Sequence, residues 1–123
     1  MSKIAQRKAK IRARRKKHIR KIVQGTAARP RLVVFRSLKH IYAQLVDDET
    51  GKTLLGVSSL TPGVREQTKG KKPCEVSAIV GAACAKKALD QSISKVVFDR
   101  NGFPYHGRIS AVADGARKGG LQF

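Results

Sequence analysis

Thirteen of the first 31 residues are Lys or Arg, and none is Asp or Glu. A block of like charge repels itself and resists burial, so it stays outside any core until an anion gathers it. The core must then come from the other 92 residues, which hold 14 Lys or Arg against all 8 acids. That length supports one modest core and not two. The expected organisation is a basic arm over residues 1–28 and a single domain over residues 29–123.

The density of this charge points to phosphate neutralisation on a nucleic acid. The candidate contacts in the arm are Lys3, Arg7, Lys8, Lys10, Arg12, Arg14, Arg15, Lys16, Lys17, His18, Arg20 and Lys21. An anionic membrane is the main competing partner. The apolar stripe of Ile4, Ile11, Ile19 and Ile22 is narrow, however, and Arg15 and His18 interrupt it. It also lacks the Trp or Phe of interfacial helices. No run of apolar residues is long enough for a membrane span. The start has no apolar core of a secretory signal, and it is too poor in Ser and too uniformly cationic for a mitochondrial presequence.

Cys74 and Cys84 are ten residues apart. On a helix that spacing leaves the side chains roughly 80° apart and well separated along the axis, so no disulfide between them is expected. No further ligands cluster near them, and no zinc site is expected. Cys84 lies among alanines and reads as a small core residue. A reducing, cytoplasmic setting follows.

Residues 3 to 23 are rich in Ala, Lys, Arg and Gln, all good helix formers. Like charges four residues apart oppose that helix, so it is expected to fray alone and to order on an anionic partner. Gly25, Thr26 and Pro30 mark a linker. Arg31 to Arg36 (RLVVFR) is a short apolar run suited to a strand buried on both faces. From His40 to Val46, Ile41, Ala43 and Leu45 alternate with His40, Tyr42 and Gln44, which gives a half-buried second strand. DDETG is a turn, and residues 52–59 form a third strand of the same meander.

Residues 61–73, with two Pro and two Gly, are expected to be a loop. Val76, Ile79, Val80, Ala83, Cys84 and Ala88 recur at helical spacing and predict a helix over 74–89. KVVF at 95–98 is a fourth strand, parallel to the first because a helix joins them. After a loop at 99–107, Ile109, Val112, Ala113 and Ala116 predict a last helix ending at Gly119-Gly120. The fold class is therefore α/β, with a mixed sheet of order 3-2-1-4 under the right-handed crossover rule.

Two segments of this domain could add shape to the charge of the arm. His40 and Tyr42 lie on the polar face of the second strand, close to Arg36 and Ser37, and Tyr42 could stack on an unpaired base or ribose while Arg36 and His40 contact phosphates. An ordinary solvent-facing strand would look the same. The loop with Arg100, Asn101, Gly102, Tyr105, His106, Gly107 and Arg108 follows the C-terminal end of a strand, where ligands favour open α/β sheets. Gly102 and Gly107 would permit close backbone approach to a ligand, and the amides at Arg108 begin a helix that could receive a phosphate. A bare connecting loop is the plainer account.

Catalysis has less support. Asp47, Asp48, Glu49 and Asp99 could build a two-metal nuclease centre if the strands brought them together. Turn formation and pairing with Arg account for the same acids. His40 and His106 have no identifiable nucleophile, and no P-loop or dinucleotide fingerprint is present. No enzyme activity, cofactor, metal or small-molecule substrate is expected.

Two long stretches add to this reading. RLVVFRSLKHIYAQ at 31–44 and VVFDRNGFPYHGRISAVADGARKGGLQF at 96–123 resemble bacterial-type large-subunit ribosomal protein eighteen. The resemblance covers almost the whole chain. Its departures are Phe103-Pro104, where the family commonly has an aromatic and a basic residue, and Asn101, which is often Gly. The cysteines lie outside the family pattern. The resemblance implies a non-catalytic, ribonuclease H-like α/β domain that binds 5S rRNA in the central protuberance and ties it to 23S rRNA. Neighbouring 5S-associated ribosomal proteins would be further partners. It also implies that the basic arm, Arg31, Arg36, Ser37, His40, Tyr42, Arg100, Gly102, Tyr105, His106 and Arg108 face RNA.

Overall fold

The computed structural model describes residues 2–123. Helix α1 (Lys3–Ile22) is followed by strands β1 (Arg31–Arg36), β2 (Ile41–Asp47) and β3 (Lys52–Ser58). Helices α2 (Pro62–Gln67) and α3 (Pro73–Asp90), strand β4 (Val97–Asp99) and helix α4 (Arg108–Lys118) complete the chain. The strands form one sheet of order β3-β2-β1-β4, with β1 antiparallel to β2 and parallel to β4, as expected.

The alternation in β2 does what its period of two requires. Ile41, Ala43 and Leu45 are buried on the inner face, while Gln44 is exposed. Leu32 and Val34 of β1 join them, and α3 and α4 cover this layer with Val80, Cys84, Ala88, Ile109, Val112 and Ala116. Each fully buried Val, Leu or Ile contributes about 1.5–3 kcal/mol. The two helices cross at small residues. A side chain at Gly81 would strike the Val112 carbonyl, and one at Gly115 would strike that of Ala78. Both cysteines are free, and burial pushes the Cys84 thiol up to about 12.

Three expectations need correction. Residues 61–73 are not all loop, because Pro62 opens the short helix α2 and buried Val64 anchors it. Strand β1 is not buried on both faces. Phe35 remains 43% exposed because no helix of the core layer covers the outer face. Strand β4 begins two residues later than KVVF, at Val97. The front of that run pairs instead with the C-terminal tail, where the Val96 amide donates to the Gln122 carbonyl at 3.1 Å. Helix α1 is continuous from Lys3 to Ile22 and contacts the domain through Arg12 and Arg20.

Candidate nucleic-acid interface

Helix α1 begins at Ser2, whose hydroxyl accepts the Ala5 amide at 3.1 Å. It buries none of its residues, and Ile4 and Ile22 are exposed. Two arginines hold it against the domain. The Arg12 guanidinium lies 4.1 Å from the Phe103 ring centre and 5.4 Å from that of Phe35. Eight residues on, Arg20 pairs with Asp48 at 3.2 Å. Gly102 fits beneath the helix, since a Cβ there would lie 2.6 Å from the Arg12 carbonyl oxygen. Its φ of +79° also favours glycine.

The aromatic cluster at the first of these points joins segments far apart in sequence. Phe35 packs edge-on against Phe103 at 5.7 Å and tilted against Tyr42 at 6.0 Å. Arg36 reaches the same Phe103 ring at 5.1 Å. Beside the cluster, Phe35, Tyr42, Gln44 and Asn101 line an open cavity of about 370 Å³ on the outer face. Arg36, Tyr42 and the 100–103 segment are thus brought together with the basic arm. Arg108 completes the connection by donating to the Ser37 carbonyl at 2.9 Å.

Other candidates have inward tasks. Arg31 is only 7% exposed and donates to Asp99 at 2.7 Å and to Asp48 at 3.0 and 3.2 Å. Burial opposes its charge, but the two carboxylates outweigh burial and raise its pKa above the ordinary value. The same pairing with Arg31 depresses Asp48, helped by the Gly25 amide and Arg20 against partial burial. Ser37 closes the β1–β2 turn by accepting the His40 amide at 3.2 Å, and His40 Nδ1 lies 3.0 Å from the Ser59 hydroxyl. Arg100 donates to the Phe103 carbonyl at 2.9 Å. Asn101 is buried at φ +55°, and its amide donates to Asp99 at 2.7 Å.

Tyr105, His106 and Gly107 stand apart from the cluster. Tyr105 packs on Phe98 at 5.7 Å, in a group that includes Phe123 and Arg117. His106 is exposed, and Gly107 (φ +59°) caps α4 with open space around it. The remaining arm residues, Lys3, Arg7, Lys8, Lys10, Arg14, Arg15, Lys16, Lys17, His18 and Lys21, are all exposed. Phe35, Gln44 and Phe103 were not among the sequence candidates. The cross-strand position of Phe35 opposite Tyr42 was the one available signal.

The acids do not form a catalytic centre. Asp48 and Asp99 both face the Arg31 guanidinium, and Asp47 holds its own turn through the Glu49 amide and Thr50 hydroxyl. Among the described residues no group of three or more His, Cys, Asp or Glu could hold a metal. No helix among them is long and apolar enough to cross a membrane.

A small α/β domain whose outer side presents a cationic helix and an aromatic–arginine cluster has the features of the polyanion-binding class. The family model described as ribosomal L18 of archaea, bacteria, mitochondria and chloroplasts matches residues 6–123. The chain is 58% identical over 117 residues to large ribosomal subunit protein uL18 of Chlorobaculum tepidum, covering 95% of this chain and 93% of that protein. It is 54% identical to uL18 of Citrifermentans bemidjiense over the full length of both. For uL18 of Desulfosudis oleivorans the identity is 53%, over 97% of this chain and 98% of that protein. The chain belongs to the uL18 family of large ribosomal subunit proteins. It is a structural, non-enzymatic constituent of the large subunit, located in bacteria in the cytoplasm.

Proposed function

We propose that the chain binds 5S rRNA and fastens it to 23S rRNA in the central protuberance, beside other 5S-associated ribosomal proteins. Residues 1–28 act as the arm and residues 29–123 as the domain that positions it. The arm supplies counterion release, and the outer face of the sheet supplies shape. One observation carries this reading: Arg12 of the arm, Arg36 at the end of β1 and the 100–108 loop meet around Phe103. A polyanion lying there would touch all three at once. Tyr42, beside the open cavity, is placed to stack on an unpaired base.

Hydroxyl-radical footprinting of the full chain on 5S rRNA, alone and with 23S rRNA, tests the proposal. A discrete protected region on 5S rRNA is expected, with further protection on 23S rRNA in the ternary complex. Uniform weak protection of any RNA would reduce the protein to a non-specific cation and reject the reading.

A further inference from the structure

Helix α1 and the 102–104 segment flank an open, largely apolar cleft of about 400 Å³ around Phe103, whose lining includes Lys8, Arg12, Arg15 and Arg36. Four cations share this space. Among the described residues neither Arg12 nor Arg36 makes an ion pair, although Arg20 and Arg31 both do. The two guanidinium groups lie over one ring, 4.1 and 5.1 Å from its centre. Among the described residues the buried Arg12 Nε has no hydrogen-bond partner, as is also true of Arg20 Nε and Asn101 Oδ1, but Arg20 has a carboxylate on its Nη2 and Arg12 has none. A buried donor without an acceptor is costly, and two like charges on one ring add repulsion. Burial, and then the nearness of Arg36, lower the Arg12 pKa. The carboxylates around Arg31 are already engaged.

We propose that Arg12 and Arg36 form a phosphate clamp whose occupant locks α1 onto the domain. A phosphate offers several acceptor oxygens, and the planar guanidinium fork matches them two at a time. One phosphate between the two forks would satisfy Arg12 Nε and replace repulsion by shared attraction. Because Arg12 belongs to α1 and Arg36 ends β1, the anion would bridge arm and domain. Phe103 supplies the floor that orients both forks. Lys8 and Arg15 add field without a fixed ring contact. The inference rests on the RNA-binding reading for its natural ligand, an RNA backbone phosphate, but the clamp itself requires only phosphate chemistry.

The test uses the full chain and two probes. In NMR spectra of the guanidinium groups, inorganic phosphate should move the Arg12 and Arg36 Nε–Hε resonances together, with one binding curve and at lower concentration than other arginines. Resonances that stay fixed, or that move only with the bulk of the arm, overturn the clamp whether or not RNA binds. With 5S rRNA as the second probe, Arg12→Gln and Arg36→Gln should each weaken binding about tenfold, the scale of one charge-assisted contact. The double variant should be little weaker than either single variant, since both arms of the clamp hold one phosphate. Lys10→Gln and Lys21→Gln, a pair of exposed charges, should instead multiply their losses. Multiplying losses for Arg12 and Arg36 as well would reject a shared phosphate. Failure of 5S rRNA to bind the wild-type chain would reject the RNA reading and leave the phosphate titration to decide the clamp.

Discussion

Arg31 and Arg12 both lie against the outer side of the sheet, yet only one is neutralised within the chain. Arg31 is enclosed by Asp48 and Asp99 and is almost fully buried. Arg12 has aromatic rings beneath it, a second guanidinium beside it and no acid within ion-pair reach among the described residues. The fold has eight acids for 27 Lys and Arg. It spends two of them on the arginine that joins β1, β4 and the β2–β3 turn, and one of these also holds Arg20. Charge with an internal partner fixes the architecture. Charge without one remains available for an external polyanion.

The sharpest way to break this contrast is Arg31→Ala. It strands Asp99, which is completely buried, as an unpaired carboxylate. Loss of one partner of a buried pair costs about 3–5 kcal/mol, so urea denaturation should show a large fall in stability. A change below about 1 kcal/mol would mean that water reaches the pair and that Arg31 is no different in kind from the arm residues. Deletion of residues 2–22 probes the other side. The β-sheet signal and cooperative unfolding should survive, while 5S rRNA affinity falls about a hundredfold or more at physiological salt. The slope of log K against log[salt] should shrink by several units, because most of the phosphate contacts are gone. An unchanged slope would place the RNA-binding charge on the domain instead.

The sequence made the domain legible where periodicity governs. The alternation of Ile41, Ala43 and Leu45 and the helical spacing from Val76 to Ala88 marked the packing layer, and the right-handed crossover rule then gave the sheet order. Helix α2 was hidden because six residues with one buried anchor, Val64, carry no usable period. RLVVFR reads as apolar on both faces, but composition alone cannot say that one face is left without a covering layer. The candidate site was only partly visible. Arg31 has partners 17 and 68 residues away, and no local pattern announces such a pairing. The meeting of Arg12, Phe35 and Phe103 likewise depends on where α1 comes to rest. Gly102 and Gly107 were marked for the approach of a ligand, but at Gly102 it is α1 of the same chain that comes close, and Gly107 has open space around it.

Gly102 also offers a way to sharpen the contrast at smaller cost. Gly102→Ala and Gly107→Ala both place a side chain at positive φ, at about 1–3 kcal/mol each. Only at Gly102 would the new methyl group meet the backbone of α1. Hydrogen exchange of α1 amides should therefore accelerate in Gly102→Ala and not in Gly107→Ala, with 5S rRNA affinity several-fold weaker in the former. Equal exchange in the two variants would show that α1 docks through Arg20 and Asp48 alone.

Asp48 gives the smallest effect and the most specific one. Its folded pKa is held below the ordinary carboxylate range, chiefly by Arg31. In the unfolded chain the same group titrates near pH 4. The stabilisation it provides is therefore complete above about pH 4 and is lost as pH falls through the lower folded value. Asp48→Asn removes that component while leaving an oxygen able to accept the Gly25 amide, which Asp48 accepts at 2.7 Å. The difference in stability between wild type and Asp48→Asn should be greatest near neutrality and should narrow below about pH 4. Protection of the α1 amides near Arg20 should follow the same curve, because Arg20 reaches the domain through that carboxylate. Stability that narrows without any change at Arg20 would separate the two roles of Asp48 and leave the arm held by the Arg12 cluster.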